Sequence, residues 1–185
     1  ALGRYDEWFR RFRDADCDGL AAYIDYLESG WDDSVRWDLP REVFAARSSE
    51  YLALYPGARM APVEAVDLNC LLYLQRALLS ELAARLGRAG EAEAYRALAG
   101  STASKVRELM WDEGTGFFYD VLEGGHEKVM VKTPAAFLTM FAGVATREQA
   151  ERLVEHMFNE SEFWTTFPLP TVSRDDPRYD PRGYW

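Results

Sequence analysis

The stretch Val63-Glu64-Ala65-Val66-Asp67-Leu68-Asn69-Cys70-Leu71-Leu72-Tyr73-Leu74-Gln75-Arg76-Ala77-Leu78-Leu79-Ser80-Glu81-Leu82-Ala83-Ala84-Arg85-Leu86 decides the fold. Its leucines at 68, 71, 72, 78, 79, 82 and 86 recur at helical spacing, so it reads as one long helix. The apolar stripe is wider than a surface helix needs, which predicts cover on two sides. Gly87 and Gly90 end the run and open a turn, and a second helix follows from about Glu91 to Met110, with Tyr95, Leu98, Val106 and Leu109 inward.

Working outward, Trp8, Phe9 and Phe12 share one face of a helix over about 5–13. A further helix is expected over about 41–55. Thr133-Pro134 starts one that runs to about Phe141, with Thr as N-cap and Pro at the first position. Thr146 with Gln149 forms a capping box for another, whose face is Ala150, Leu153, Val154, Met157 and Phe158. Phe117-Phe118-Tyr119 and Lys128 to Val131 form a short extended pair around Gly124-Gly125. From Glu160 onward, Pro168, Pro170, Pro177 and Pro181 make the chain a loop. About six helices with almost no sheet, one of them apolar on two sides, point to an all-α layered toroid.

The 185 residues are 48% apolar and 28% charged, an ordinary globular composition. Charged residues crowd the first fifteen positions and no run reaches the roughly 18 apolar residues of a membrane span, so the chain reads as cytoplasmic, with no membrane partner. A net charge of −10 with 21 Lys+Arg excludes a nucleic-acid partner, which needs clustered cations. Cys17 and Cys70 have no disulfide or zinc spacing and read as buried small hydrophobes. Both ends look cut, which makes residues 1–185 a single incomplete domain, truncated on either side.

Three constellations carry candidate chemistry. Asp14-Ala15-Asp16-Cys17-Asp18-Gly19 with Asp25 at the twelfth place has the spacing of a calcium loop, except that Ala21 and Asp25 stand where a β-branched residue and Glu are usual. It is either a solvated Asp/Gly turn or a structural calcium site on Asp14, Asp16 and Asp18. In Glu28-Ser29-Gly30-Trp31-Asp32-Asp33-Ser34-Val35-Arg36-Trp37, Gly30 permits a sharp turn and Trp31 gives an apolar wall beside tandem carboxylates. Such a wall favours the protonated acid that donates to a leaving group; an Asp-rich helix cap is the plainer alternative. The aromatic loop from Phe163 to Trp185, with Asp175, Asp176 and Asp180, either floors a sugar site or is pinned by packing. His126 and His156 complete no nucleophilic triad, and His156 reads as a satisfied, partly buried residue; carboxylate acid/base chemistry is the remaining mode.

Together these segments resemble family 63 of the glycoside hydrolases and the related trehalases. The resemblance rests on Asp16 to Leu20, on Ser29-Gly30-Trp31-Asp32-Asp33-Ser34 followed by Arg36-Trp37, and on Val66-Asp67-Leu68-Asn69. It continues through Met110 to Glu113, Gly116 to Asp120, Thr165 to Ser173 and Gly183-Tyr184-Trp185. Within that group the chain is similar to bacterial hydrolases of mannosylglycerate and glucosylglycerate. The resemblance implies an (α/α)6 barrel of which about half the helices are present. It implies a carbohydrate substrate and an inverting α-glycosidase acting on a small α-glucoside or α-mannoside, or on an oligosaccharide. It makes Asp32 the general acid and Trp31, Asp33, Arg36, Asp67, Asn69, Tyr184 and Trp185 sugar contacts. The partner base, a Glu late in the barrel, has no match here, so hydrolysis by residues 1–185 alone is not expected. The alternative from another class is a non-catalytic toroid domain that binds sugar or a protein.

Overall fold

The computed structural model describes residues 2–183. Six α-helices occur among them: α1 (Leu2–Phe12), α2 (Asp38–Leu54), α3 (Val66–Arg85), α4 (Ala89–Lys105), α5 (Leu138–Ala142) and α6 (Arg147–Met157). Six short strands accompany them: β1 (Ala22–Tyr23), β2 (Val63–Glu64), β3 (Trp111–Asp112), β4 (Phe117–Phe118), β5 (Asp120–Leu122) and β6 (Lys128–Val129). The expectation of an all-α chain is therefore corrected. An antiparallel sheet of order β1-β2-β5-β6 crosses the middle of the domain, and β3 pairs with β4 beside it. The hairpin around Gly124 starts at Asp120 instead of Phe117, with Asp120 opposite Val129 and Val121 opposite Lys128. Phe117-Phe118 instead pairs with Trp111-Asp112.

The long leucine run folds as α3, and its first residues, Val63-Glu64, become strand β2. Helix α4 returns antiparallel along it after a turn at Gly87, whose φ of +73° suits glycine. Small residues Ala92, Ala99 and Ala103 are buried at this contact and let the two backbones approach, and the Ser80 hydroxyl donates to the Ala92 carbonyl at 2.7 Å. Arg76, buried on α3, donates to Asp6 Oδ1 of α1 at 2.7 Å and to Thr102 Oγ1 of α4 at 2.5 Å, tying three helices at one point. Among the described residues nothing covers the opposite side of α3: Leu71, Leu78 and Leu82 are exposed, as is Leu86 just after it. On α1 only Phe9 of the expected trio is buried, whereas Trp8 and Phe12 face outward.

Other local expectations meet the structure more closely. The capping box is present, with Gln149 N–H donating to Thr146 Oγ1 and Thr146 N–H donating to Gln149 Oε1. Of the α6 face, Leu153 is fully buried but Val154 and Phe158 are exposed. Helix α4 ends at Lys105, and Val106–Met110 continues as one wider π-turn. The helix after Thr133-Pro134 begins as a 3-10 turn over Pro134–Phe137, and Thr133 makes no side-chain cap. Cys70 is buried as expected; Cys17 is exposed, in a tight turn with φ +60°. No described helix is long and apolar enough to cross a membrane.

Two apolar clusters pack against the four-stranded sheet, and the register sorts its residues between them. Side chains alternate along a strand, so Val63, Leu122, Val129 and Tyr23 share one face and pack with Trp37, Met60 and Val172. Val121 lies on the other face, packed with Leu20, Val66, Met110, Phe117 and Phe163. Asp120 follows the first set, two residues from Leu122; Glu64, paired with Val121 and Ala22, follows the second.

Candidate active site

The segment carrying Asp32 turns at Gly30, where φ is +73° and no neighbour lies near the missing Cβ. Trp31 N–H donates to Ser29 Oγ, and the Trp37 indole N–H donates back to the Trp31 carbonyl at 2.8 Å, closing the segment into a loop. Ser34 caps a single 3-10 turn over Val35–Trp37, which leads directly into α2.

That turn places Arg36 in the interior, fully buried between indoles: its guanidinium carbon lies 4.4 Å from the Trp37 ring centroid and 5.3 Å from that of Trp31. Two carboxylates receive it. Arg36 Nε and Nη2 donate to Asp120 at 2.9 and 2.7 Å, and Nη1 and Nη2 donate to Asp67 at 3.0 and 3.2 Å. Burial alone disfavours the guanidinium charge, but the two carboxylates outweigh it and hold the charge more firmly than usual. Asp120 Oδ1 also accepts the N–H of Val66, the first residue of α3. Three segments distant in sequence are thereby locked around one cation. Nearby Tyr23 is pushed upward in pKa by burial and by Asp67.

Against this fixed background Asp32 is half-buried, and its carboxylate makes no hydrogen bond or ion pair among the described residues. Asp33 beside it is exposed. Trp31, Arg36 and Asp67 are thus brought together, with Asp32 next to Trp31 in the chain, and Arg36 is saturated by Asp67 and Asp120. Asn69 stands apart. It is fully buried, its Oδ1 accepts from Ala21 N–H and its Nδ2 donates to the carbonyls of Ala21 and Ala65. Its amide is spent on chain positioning, which departs from the expected sugar contact. Tyr184 and Trp185 lie outside the described residues.

The aromatic loop divides between the two readings made of it. Phe163 is core, stacked on Phe117 with centroids 5.9 Å apart. Phe167 is the most open ring among the described residues, 85% exposed. The segment 165–172 with Arg174, Tyr179 and Asp180 lines an open cleft of about 720 Å³. Tyr179 and Val172 pack in the same cluster as Trp31, and Arg178 donates to the Val35 carbonyl and to Asp38, fastening this loop beside the Asp32 segment. His156 is partly buried between Glu162 and the Thr115 carbonyl, as expected.

Asp120 and Glu64, like Asp6 and Glu162, are buried carboxylates that local patterning did not single out. Both stand as lone charges inside apolar runs, Tyr119-Asp120-Val121 and Val63-Glu64-Ala65, and that is the one signal pointing to them. The calcium-type loop also differs from its expected form. Asp14 Oδ1 is buried with no hydrogen-bond partner, and burial pushes this carboxyl's pKa upward. Asp25 caps the 3-10 turn over Tyr26–Glu28 and pairs with Arg59. Asp16 and Asp18 instead gather with Glu64 and His126.

A buried arginine bridging two acids thus lies beside a Trp-Asp loop, on a scaffold of paired helices. Over its whole length, residues 1–185, the chain matches the family described as the mannosylglycerate hydrolase MGH1-like glycoside hydrolase domain, and it belongs to that family. It is 29% identical to the mannosylglycerate hydrolase of Thermus thermophilus over 223 aligned positions, covering 98% of this chain and 51% of that protein. The crystal structure of the family 63 mannosylglycerate hydrolase from Thermus thermophilus in complex with glucose superposes with a TM-score of 0.80 at 24% identity. That match covers 97% of this chain and 48% of the other. The neutral trehalase of Saccharomyces cerevisiae shares the fold over 60% of this chain and 22% of its own, with a TM-score of 0.52 and 22% identity. The chain spans about half or less of the length of the curated relatives it matches.

Proposed function

We propose that this domain forms part of an inverting α-glycosidase that hydrolyses a small α-mannoside or α-glucoside of the mannosylglycerate or glucosylglycerate type. The observation that carries the reading is the contrast between Asp32 and its neighbours. Among the carboxylates of this region, Asp67 and Asp120 are consumed by Arg36, while Asp32 is half-buried beside Trp31 and unengaged among the described residues. A carboxyl so placed is suited to protonate a glycosidic oxygen. Trp31 offers the apolar side of a sugar subsite and Asp33 an exposed acceptor for hydroxyls. Arg36 and Asp67 form its rigid floor, and Tyr184 and Trp185 are proposed as further contacts.

Inversion requires a second carboxyl, a base, about 6.5–9.5 Å from the acid, with a water between them. We place that base on a segment outside residues 1–185. The same reading makes residues 1–185 about half of an (α/α)6 barrel. The uncovered leucines of α3 and the half-length coverage of the relatives support it. The deciding experiment is Asp32→Asn in the full-length protein, assayed on mannosylglycerate and glucosylglycerate with the product anomer followed by NMR. Retained hydrolysis removes Asp32 as the acid; an axial-to-axial outcome removes inversion. Binding of sugar without any turnover by the unmodified protein would favour a non-catalytic toroid.

A further inference from the structure

Behind the Arg36 site, on the other face of the sheet, four ligand-type side chains converge from three separate segments. Asp16 and Asp18 come from the loop after α1, Glu64 from β2, and His126 from the turn joining β5 to β6. One donor atom from each lies within 4.8 Å of the others. His126 Nε2 stands 3.2 Å from Asp18 Oδ2, 3.8 Å from Asp16 Oδ2 and 3.8 Å from Glu64 Oε2. Ligands about 2.1 Å from a tetrahedral ion lie roughly 3.4 Å apart, so these separations need little adjustment to close on a metal.

Glu64 makes this more than a cluster of acids. It is wholly buried, and neither of its carboxylate oxygens has a hydrogen-bond partner; Asp18 Oδ2 and His126 Nε2 are likewise buried without one. A buried carboxylate with no donor is costly unless something neutralises it. The surroundings converge on the same point. His126 adopts a left-handed φ of +51° on a turn whose Gly124 N–H donates to Asp16 Oδ2. Its ring thereby meets the acids where no lysine or arginine pairs with Glu64.

We propose that Asp16, Asp18, Glu64 and His126 bind a divalent transition-metal ion of the Zn²⁺ or Mn²⁺ kind, which staples the 14–18 loop and the 123–127 turn to β2. The imidazole decides the class: three carboxylates with one ring nitrogen suit a borderline cation, whereas calcium prefers six to eight oxygens. Asp14 Oδ1 is also buried without a hydrogen-bond partner, but its carboxylate is not among the four groups that converge. The ion is structural, since Glu64 and Asp120 point to opposite faces of the sheet and Asp32 belongs to the Asp120 side.

The test is dialysis of the metal-stripped full-length protein against Zn²⁺, Mn²⁺ and Ca²⁺, with bound metal measured by elemental analysis and stability by thermal unfolding. One Zn²⁺ or Mn²⁺ per chain is expected, with a raised unfolding midpoint that a chelator reverses. His126→Ala and Glu64→Gln each weaken binding by more than about tenfold. Glu64→Gln removes a buried charge, so without metal its midpoint stays at or above that of the metal-free parent, which separates lost binding from lost folding. Failure to retain any ion, or binding that survives both substitutions, overturns the site. Calcium binding abolished by Asp14→Asn but kept in His126→Ala overturns it too, in favour of calcium on Asp14, Asp16 and Asp18.

Discussion

Glu64 and Asp120 are buried carboxylates on opposite faces of one sheet, and only Asp120 has a cation: Arg36 Nη2 donates to its Oδ1 at 2.7 Å. The strand that presents Glu64 to one side runs straight into the helix whose first N–H binds Asp120 on the other. The Arg36 cluster and the proposed metal staple are thus built from the same few residues of backbone.

Replacing Asp32 with Asn in the full-length protein lowers kcat for glycoside hydrolysis by about 10²–10⁴-fold, the usual worth of a positioned proton donor. The unfolding midpoint stays unchanged, because the Asp32 carboxylate bonds to nothing among the described residues. Asp33→Asn, at an exposed position, raises KM more than it lowers kcat.

Arg36→Met acts mainly on stability. It leaves Asp67 and Asp120 buried without their cation, at a cost of about 3–5 kcal/mol. Urea unfolding checks this directly. Adding Asp120→Asn to Arg36→Met recovers part of the loss, since one of the stranded charges is then gone.

Asn69→Ala breaks both bonds to Ala21 and one to Ala65, leaving buried backbone groups unpaired at about 1–3 kcal/mol for each group stranded. The expected signature is a lowered midpoint with KM for the sugar essentially unchanged. A selective rise in KM would restore Asn69 to the sugar site.

The loop after Phe163 contributes an acid-side dependence. Hydrogen bonds from Arg178 hold the Asp176 carboxyl below its ordinary range in the folded protein. A depressed folded pKa adds stability above the unfolded value of about 3.9, and this is lost as the pH falls through the folded value. Thermal midpoints between pH 3 and 7 should therefore converge at the acid end for the parent and Arg178→Ala. Their stabilities should differ near neutrality by less than about 1 kcal/mol, because the pair is partly exposed.

The helices were legible because their signals are local. The leucine spacing of 68–86 marks α3 within a few residues, and the Thr146/Gln149 pair marks the start of α6 to the residue. The sheet was not, because strands of two or three residues are too short to show alternation, and Ala22-Tyr23 finds its partner only at Val63-Glu64. The site divides the same way. Trp31, Asp32 and Arg36 sit in one recognisable segment, but the roles of Asp120, Glu64 and His126 arise from that sheet and have no local pattern. Asn69 shows the reverse: a matching segment named it as a contact, and burial gave its amide other work.

The Arg36 cluster also bears on the order in which the molecule assembles. Its bonds join residues 31 and 84 positions apart, with a third link across 54. Contacts of such sequence separation close slowly, whereas the α3–α4 hairpin needs only neighbouring chain. The expected route forms that hairpin early and the Arg36 floor late. Substitutions in the floor should then speed unfolding while leaving the refolding rate nearly untouched.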